Sequence, residues 1–230
     1  MDQLSDGRRF LLGDAAHLSS PMGGEGVNAA LMDAADIAWK LALVMQGVAQ
    51  PVLLDSYAVE RGLADRHVLD ASDEVHGFVM NLVAACVGGG EPVVPPQEPA
   101  ASKASARRRL MLDVSYEGSA LVGRAGTDAG GLPPGVRFPG WLRLPGPGHN
   151  LVVFGDAPEL DDLRARWGKL VSIVDASAAE LDAVEAGVPH GGAILVRPDG
   201  FIAFCAAPAD EATMKALDVH LASYLVPGAG

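Results

Sequence analysis

Cysteine is nearly absent from the chain: Cys86 and Cys205 are the only two, they lie far apart, and neither belongs to a Cys-x-x-Cys pair. That spacing points to neither a disulfide framework nor a zinc site, and a reducing cytoplasm is the expected compartment. Basic residues are also scarce, with 17 Lys and Arg against 29 Asp and Glu and a formal net charge of −12. The acidic excess runs through both halves, so nucleic acid is not an expected partner. The one basic cluster, Arg107 to Arg109, reads as a solvated start to the next segment. A charge-free membrane span is missing too. The longest apolar pattern, from Gly26 to about Gln46, would extend roughly 30 Å as a helix, but Asp33, Asp36 and Lys40 interrupt it, so no membrane association is expected. Met1 to Leu4 has neither the basic nor the apolar region of an export signal.

What is present supports a folded protein. With 49% hydrophobic and 20% charged residues over 230 positions, the chain can build one large core or two smaller ones. Its organising stretch is Gly13-Asp14-Ala15-Ala16-His17 through Pro21-Met22-Gly23-Gly24-Glu25-Gly26-Val27-Asn28. An apolar run, Phe10-Leu11-Leu12, precedes it and a long helical pattern follows, so it reads as strand, glycine-rich loop, helix. Gly23, Gly24 and Gly26 let backbone approach a flat or anionic group without Cβ interference. The N–H groups and positive dipole of the helix start would face the same point. Taken singly, Asp14 is an ordinary strand-end acid that bonds local backbone, and Gly23-Gly24 only a turn. His17 has no second ligand at metal spacing and reads as a packing or hydrogen-bonding residue, so no metal site is expected.

Taken together, Gly13 to His17, Pro21 to Asn28, Asp33-Ala34 and Trp39-Lys40-Leu41 resemble, in order, the second flavin motif of the FAD-dependent aromatic hydroxylases related to p-hydroxybenzoate hydroxylase. Members acting on phenols and aromatic polyketides are nearest in pattern. The resemblance implies that Asp14 hydrogen-bonds the ribityl or ribose-side hydroxyls of FAD. It also implies that Pro21, Gly23, Gly24, Gly26, Val27 and Asn28 lie along the isoalloxazine, with the helix start near its N1–C2 edge. These residues serve flavin binding, and none is singled out for proton transfer.

The helix from Gly26 reads as mostly buried, with Asp33, Asp36 and Lys40 as a narrow polar stripe and Asp36 and Lys40 paired four apart. A second helix from about Pro51 continues to about Cys86, with Gly62 and Gly77 as weak points. Leu54 to Tyr57 and Glu60-Arg61 also resemble the family, and Glu60 and Arg61 read as a structural or helix-anchoring pair. Gly88 to Pro99 reads as a loop, Leu110 to Tyr116 as a strand or packed segment, and the glycine-rich run Gly123 to Gly135 as a second break. The expected division is 1–110 as the C-terminal part of an FAD-binding domain, 111–134 as linker, and 135–230 as a further domain.

In that last portion strands and helices alternate. His149 to Phe154 reads as a buried strand, Glu159 to Trp167 as a helix, and Leu170 to Val174 as a parallel strand. Pro198-Asp199-Gly200 joins a hairpin, and Asp210 to Leu225 forms a closing helix. This is the order of a thioredoxin-like domain, with which the family often ends. Gly155-Asp156-Ala157-Pro158 stands where redox cysteines would be, so that domain is expected to be redox-inert, with Cys205 in its core.

The fold class expected is therefore α/β: a partial, mainly helical FAD-binding (Rossmann-like) portion followed by a thioredoxin-like domain. The function implied is part of a monooxygenase that hydroxylates an aromatic phenol or polyketide with FAD, NAD(P)H and O2. The Gly-x-Gly-x-x-Gly unit with which the family begins is not found in these residues. A fragment, a half that joins a separate N-terminal half, and a degenerate relative all fit that pattern. Self-association is expected of the isolated chain, and a non-catalytic binding or oligomerisation module is the alternative function.

Overall fold

The computed structural model describes residues 4–20, 24–88, 107, 111–127, 132–139, 144–177, 182–183, 186, 188 and 191–228. Pro21 and Gly23 of the expected flavin loop, most of the Gly88 to Pro99 loop, and Gly130-Gly131 lie outside them. Among the described residues, no helix is long and apolar enough to cross a membrane. Helix and strand are mixed, as expected of an α/β protein. The chain divides into two compact units, Met1–Ala35 with Tyr57–Val114 and Asp36–Ser56 with Ser115–Gly230.

The first unit opens with a small antiparallel hairpin, β1 (Ser5–Asp6) and β2 (Arg9–Phe10), followed by a 3-10 turn at Gly13–Ala15. Helix α1 (Gly26–Met45) begins here, and α2 (Ser56–Gly88) runs 33 residues, unbroken at Gly62 and Gly77. Tyr57 ties α2 to the strand end: its ring meets Phe10 edge-on with centroids 5.6 Å apart, and its hydroxyl donates to the Leu11 carbonyl at 2.7 Å.

The burial of α1 differs from the sequence expectation. Asp33, Asp36 and Lys40 are fully buried, whereas Val27, Leu31 and Met45 are exposed. The polar stripe turns inward together with Ala29, Ile37 and Trp39, because each of these charges meets an opposite charge inside the fold. An ion can be buried when it is paired and hydrogen-bonded.

The second unit is built on a five-stranded sheet in the order β3-β7-β6-β4-β5: β3 (Gly123–Ala125), β7 (Ile202–Ala206), β6 (Gly192–Val196), β4 (His149–Phe154) and β5 (Val171–Asp175). β4 and β5 are parallel, joined through α3 (Leu160–Trp167), while β6 and β7 form the expected antiparallel hairpin. Helix α4 (Glu211–Ala222) closes the unit. Its capping box has Thr213 N–H donating to the Asp210 carboxylate at 2.8 Å and Asp210 N–H donating to Thr213 Oγ1 at 2.9 Å. This β-α-β, hairpin, helix order is thioredoxin-like.

Side chains alternate across the sheet into two apolar clusters. Leu151, Val153, Leu195 and Phe204 join Trp167, Leu217 and Leu221 on one face, and Val152, Ile194, Ile202 and Cys205 join Phe138 on the other. A register shift beside Leu195 and Val196 inserts Ala203 as an extra residue, which is why Ala203 and Phe204 reach the same cluster. Strand β3 seals against β7 closely. At Gly126, φ +102°, a Cβ would lie 1.9 Å from the Ala207 carbonyl oxygen, so the position requires glycine. Leu110 to Tyr116 forms no strand among its described residues; Ser115 makes one isolated bridge to Val136.

Candidate functional site

In the first unit the Gly13–Ala15 turn and the start of α1 meet. Gly13 is buried at φ +57°, and a Cβ built on it would be 3.3 Å from Ala30 Cβ, so the turn sits directly on the helix. Ala16 N–H and His17 N–H both donate to the Gly13 carbonyl, at 2.8 and 2.9 Å, which closes the turn and leaves Asp14 exposed. Gly24, φ +69°, is exposed with nothing within 4 Å of its Cβ direction, and a Cβ on Gly26 would lie 3.0 Å from Ser19 Oγ. The Glu25 carbonyl accepts the first helical bond from Ala29 N–H at 3.0 Å. Val27, 72% exposed, and Asn28 therefore stand on a helix start whose first N–H groups have no intrahelical partner. An exposed carboxylate, a bare glycine approach, helix-start backbone donors and an apolar side chain make a surface that fits a planar group carrying hydroxyls and an electron-rich edge.

Beneath the turn lies a buried charged cluster. Asp33 Oδ2 accepts from Gly13 N–H at 2.8 Å and from His17 Nε2 at 2.7 Å, and its Oδ1 accepts from Arg61 Nε at 2.6 Å. Arg61 Nη2 donates to Asp65 Oδ1 at 3.1 Å and to the Ala29 carbonyl at 3.4 Å. His17 Nδ1 and Asp65 Oδ2 are buried without a hydrogen-bond partner among the described residues. Burial raises the Asp65 carboxyl to about 6 and the Asp33 charge adds to this, against the opposing pull of Arg61 and His17.

His17, Asp33 and Asp65 each place one ligand atom within 4.8 Å of the others, as metal ligands would. The Arg61 guanidinium, bonded to both carboxylates, already supplies a positive charge there. His17 is thus a hydrogen-bonding residue, but the carboxylates that sequence spacing did not offer are brought to it by the fold. Asp65 was missed altogether; its spacing of four from Arg61 on one helix was the available signal.

The second unit holds its own charged cluster. Asp36 accepts from Lys40 Nζ at 2.7 Å and from Arg197 Nη2 at 3.0 Å, and Arg197 also grips Asp199 through two nitrogens. The indole N–H of Trp39 donates to Asp199 at 3.3 Å, and Arg197 lies over the Trp39 and Tyr116 rings. Burial opposes ionisation of Asp199, yet the charge and hydrogen bonds of Arg197, with Lys40 and Phe201 N–H, together hold it at about 2. Burial, reinforced by Arg197, keeps His149 neutral with its pKa lowered to about 3, and its Nε2 shares a hydrogen bond of 3.2 Å with the Tyr224 hydroxyl. A cavity of about 360 Å³ lies beside Arg197, lined also by Gly148, Asn150 and Pro198. None of the residues expected to bind flavin lines it.

Residues 1–72 match the FAD binding domain family, and residues 142–226 match the aromatic-ring hydroxylase C-terminal family. The 6-methylpretetramide 4-monooxygenase of Streptomyces rimosus is 34% identical over 87% of this chain and 42% of its own length. Aklavinone 12-hydroxylase DnrF of Streptomyces peucetius is 49% identical over a shorter segment, 31% of this chain and 14% of its own. Among solved structures, the anhydrotetracycline hydroxylase OxyS from Streptomyces rimosus superposes with a TM-score of 0.69 at 27% identity, covering 99% of this chain and 46% of that one. The chain spans less than half the length of these relatives.

Proposed function

We propose, from the premise that this chain belongs to the family of FAD-dependent aromatic hydroxylases, that its first unit binds the flavin in a monooxygenase acting on a phenol or aromatic polyketide. The observation that carries this reading is the exposed Asp14 carboxylate on a turn packed against the start of α1, within the segment that matches the FAD binding domain. Asp14 would accept hydrogen bonds from the ribityl or ribose-side hydroxyls. The N-terminus of α1 would favour negative charge at the N1–C2 edge of the ring. Gly24 and Gly26 would allow close approach, Val27 would cover the ring from water, and Asn28 would offer a polar contact. Pro21 and Gly23 belong to the same loop in sequence.

When bound, FAD supplies the redox chemistry, passing two electrons from NAD(P)H to O2 so that one oxygen atom is transferred to the ring. The protein's part is to orient the cofactor and exclude water. The substrate class follows the relatives, among them the 6-methylpretetramide 4-monooxygenase and a pentachlorophenol 4-monooxygenase of Sphingobium chlorophenolicum. The two cysteines, neither in a disulfide, agree with a cytoplasmic location. Completion of the site by an N-terminal half or by a second copy is part of the same reading.

Titration of the purified chain with FAD, read by flavin fluorescence, tests it. Binding is expected, and loss of a charge-assisted hydrogen bond in Asp14→Ala should weaken it about 10- to 100-fold. An unchanged affinity in that variant would sink the Asp14 assignment. Absence of any binding, with an N-terminal half supplied as well as without it, would sink the reading.

A further inference from the structure

We propose that Asp33 and Arg61 are positioning residues for the flavin site, acting through the turn that carries Asp14; this rests on the flavin reading above. The two ends of that turn, Gly13 and His17, are both tied to one oxygen of the Asp33 carboxylate, at 2.8 and 2.7 Å. The other oxygen is held by Arg61 Nε at 2.6 Å, so the carboxylate is gripped on both sides. Arg61 is itself fixed, fully buried and bonded to Asp65 and to the Ala29 carbonyl.

The geometry has a specific consequence. Asp33 lies on α1, seven residues after its start, so the helix that presents Val27 and Asn28 also holds the turn that presents Asp14. The two parts of the proposed cofactor surface are therefore set against each other by a single side chain. A Cβ built on Gly13 would lie 3.3 Å from Ala30 Cβ, so the turn is seated close against the helix. Without the Asp33 tie, the turn keeps, among the described residues, its own closing bonds from Ala16 and His17 to Gly13 and the longer approach of His17 Nε2 to Asp65 at 3.7 Å, and Asp14 loses its fixed relation to the helix start.

A residue that acts through Asp14 should matter for FAD only while Asp14 is present, whereas general loosening of the fold should weaken binding in any background. FAD affinity is therefore measured in a double-mutant cycle of Asp33→Asn and Asp14→Ala, with amide exchange at Gly13 followed in parallel. Asp33→Asn is expected to raise the FAD Kd about tenfold in the unaltered chain and by less than about twofold in Asp14→Ala. Additive losses overturn the proposal, as does Gly13 exchange in Asp33→Asn as slow as in the parent.

If Asp14→Ala leaves FAD affinity unchanged, the Asp14 assignment is what fails. Gly13 exchange then decides the anchor alone, acceleration supporting it and no change overturning it. His17→Gln, which removes one tie and leaves the Arg61 pair, is carried through the same cycle and decides should Asp33→Asn fail to fold. Its expected loss is about threefold, again confined to chains that retain Asp14.

Discussion

The two units solve the same problem, burying charge from one helix, in very different surroundings. Asp33 and Asp36 lie three residues apart on α1, and each is fully buried against an arginine distant in sequence, Arg61 for the first and Arg197 for the second. In the second unit the ions stand beside two apolar clusters that are made of second-unit residues alone. In the first, the apolar residues buried among those described include Leu4, Tyr57, Val68 and Met111, while Leu18, Val27, Leu31, Met80 and Val87 are exposed. Among the large apolar residues described as exposed, only Met45, Val52 and Val219 belong to the second unit. The comparison teaches that an ion cluster can organise a unit with few buried apolar residues among those described, at the expense of making that unit depend on each partner.

The largest effect should come from breaking that dependence. Arg61→Ala leaves Asp33 and Asp65 buried without their counter-charge, a change that costs about 3–5 kcal/mol in comparable sites. Hydrogen exchange should show α2 and the β1–β2 hairpin losing protection while β4 and β6 keep theirs. Simultaneous loss in both units would mean that they unfold as one and would dissolve the contrast. The mirror experiment is Leu195→Ala in the middle of the sheet, where the residue is fully buried. About 3 kcal/mol should be lost, now from the strands, as expected of a cavity in a packed core.

Proton linkage sharpens the comparison, because the two units should respond to acid with opposite sign. Asp65 has its folded pKa raised from 3.8 to about 6, so the folded state holds more protons in that window and the first unit loses stability as pH rises through it. His149 has its pKa lowered from 6.5 to about 3. There the unfolded state takes up the proton, so stability is complete above 6.5 and is lost as pH falls. His220, lowered to about 4 by burial with Arg197 assisting, acts in the same direction. Unfolding free energies from urea titrations read by probes in each unit should diverge between pH 4 and 6 by several kcal/mol. Asp65→Asn should flatten the first unit's profile, and parallel profiles would remove the distinction. The smallest effect belongs to the outer face of α1: Leu31→Ser, at a position 64% exposed, should change thermal stability by less than about 0.5 kcal/mol.

Local signals were legible in the sequence. The Pro198-Asp199-Gly200 turn, the buried β4 strand and the α4 helix each follow from adjacent residues, through turn chemistry and periodicity of two or 3.6. The glycine-rich stretch was legible as an ensemble, since its residue types only make sense together. The inward turn of the α1 stripe was not, because Asp33 and Asp36 look like surface acids until Arg61 and Arg197 arrive, 28 and 161 residues away. Asp199 illustrates both cases. As a turn residue it was evident, with Arg197 N–H donating to Phe201 at 2.8 Å across the hairpin, but its second duty as a buried counter-ion depends on a distant helix.

The three-residue strand β3 has a consequence for how this protein behaves at high concentration. It covers β7, whose N–H and C=O groups would otherwise offer a template for a strand from another molecule. The new outer edge is short and carries the exposed Arg124, and the opposite edge, β5, presents Ser172 and Asp175 to solvent. Among the described strands both borders of the sheet are thus poor partners for strand addition, a protection that at β3 follows from the tight seat of Gly126 against Ala207.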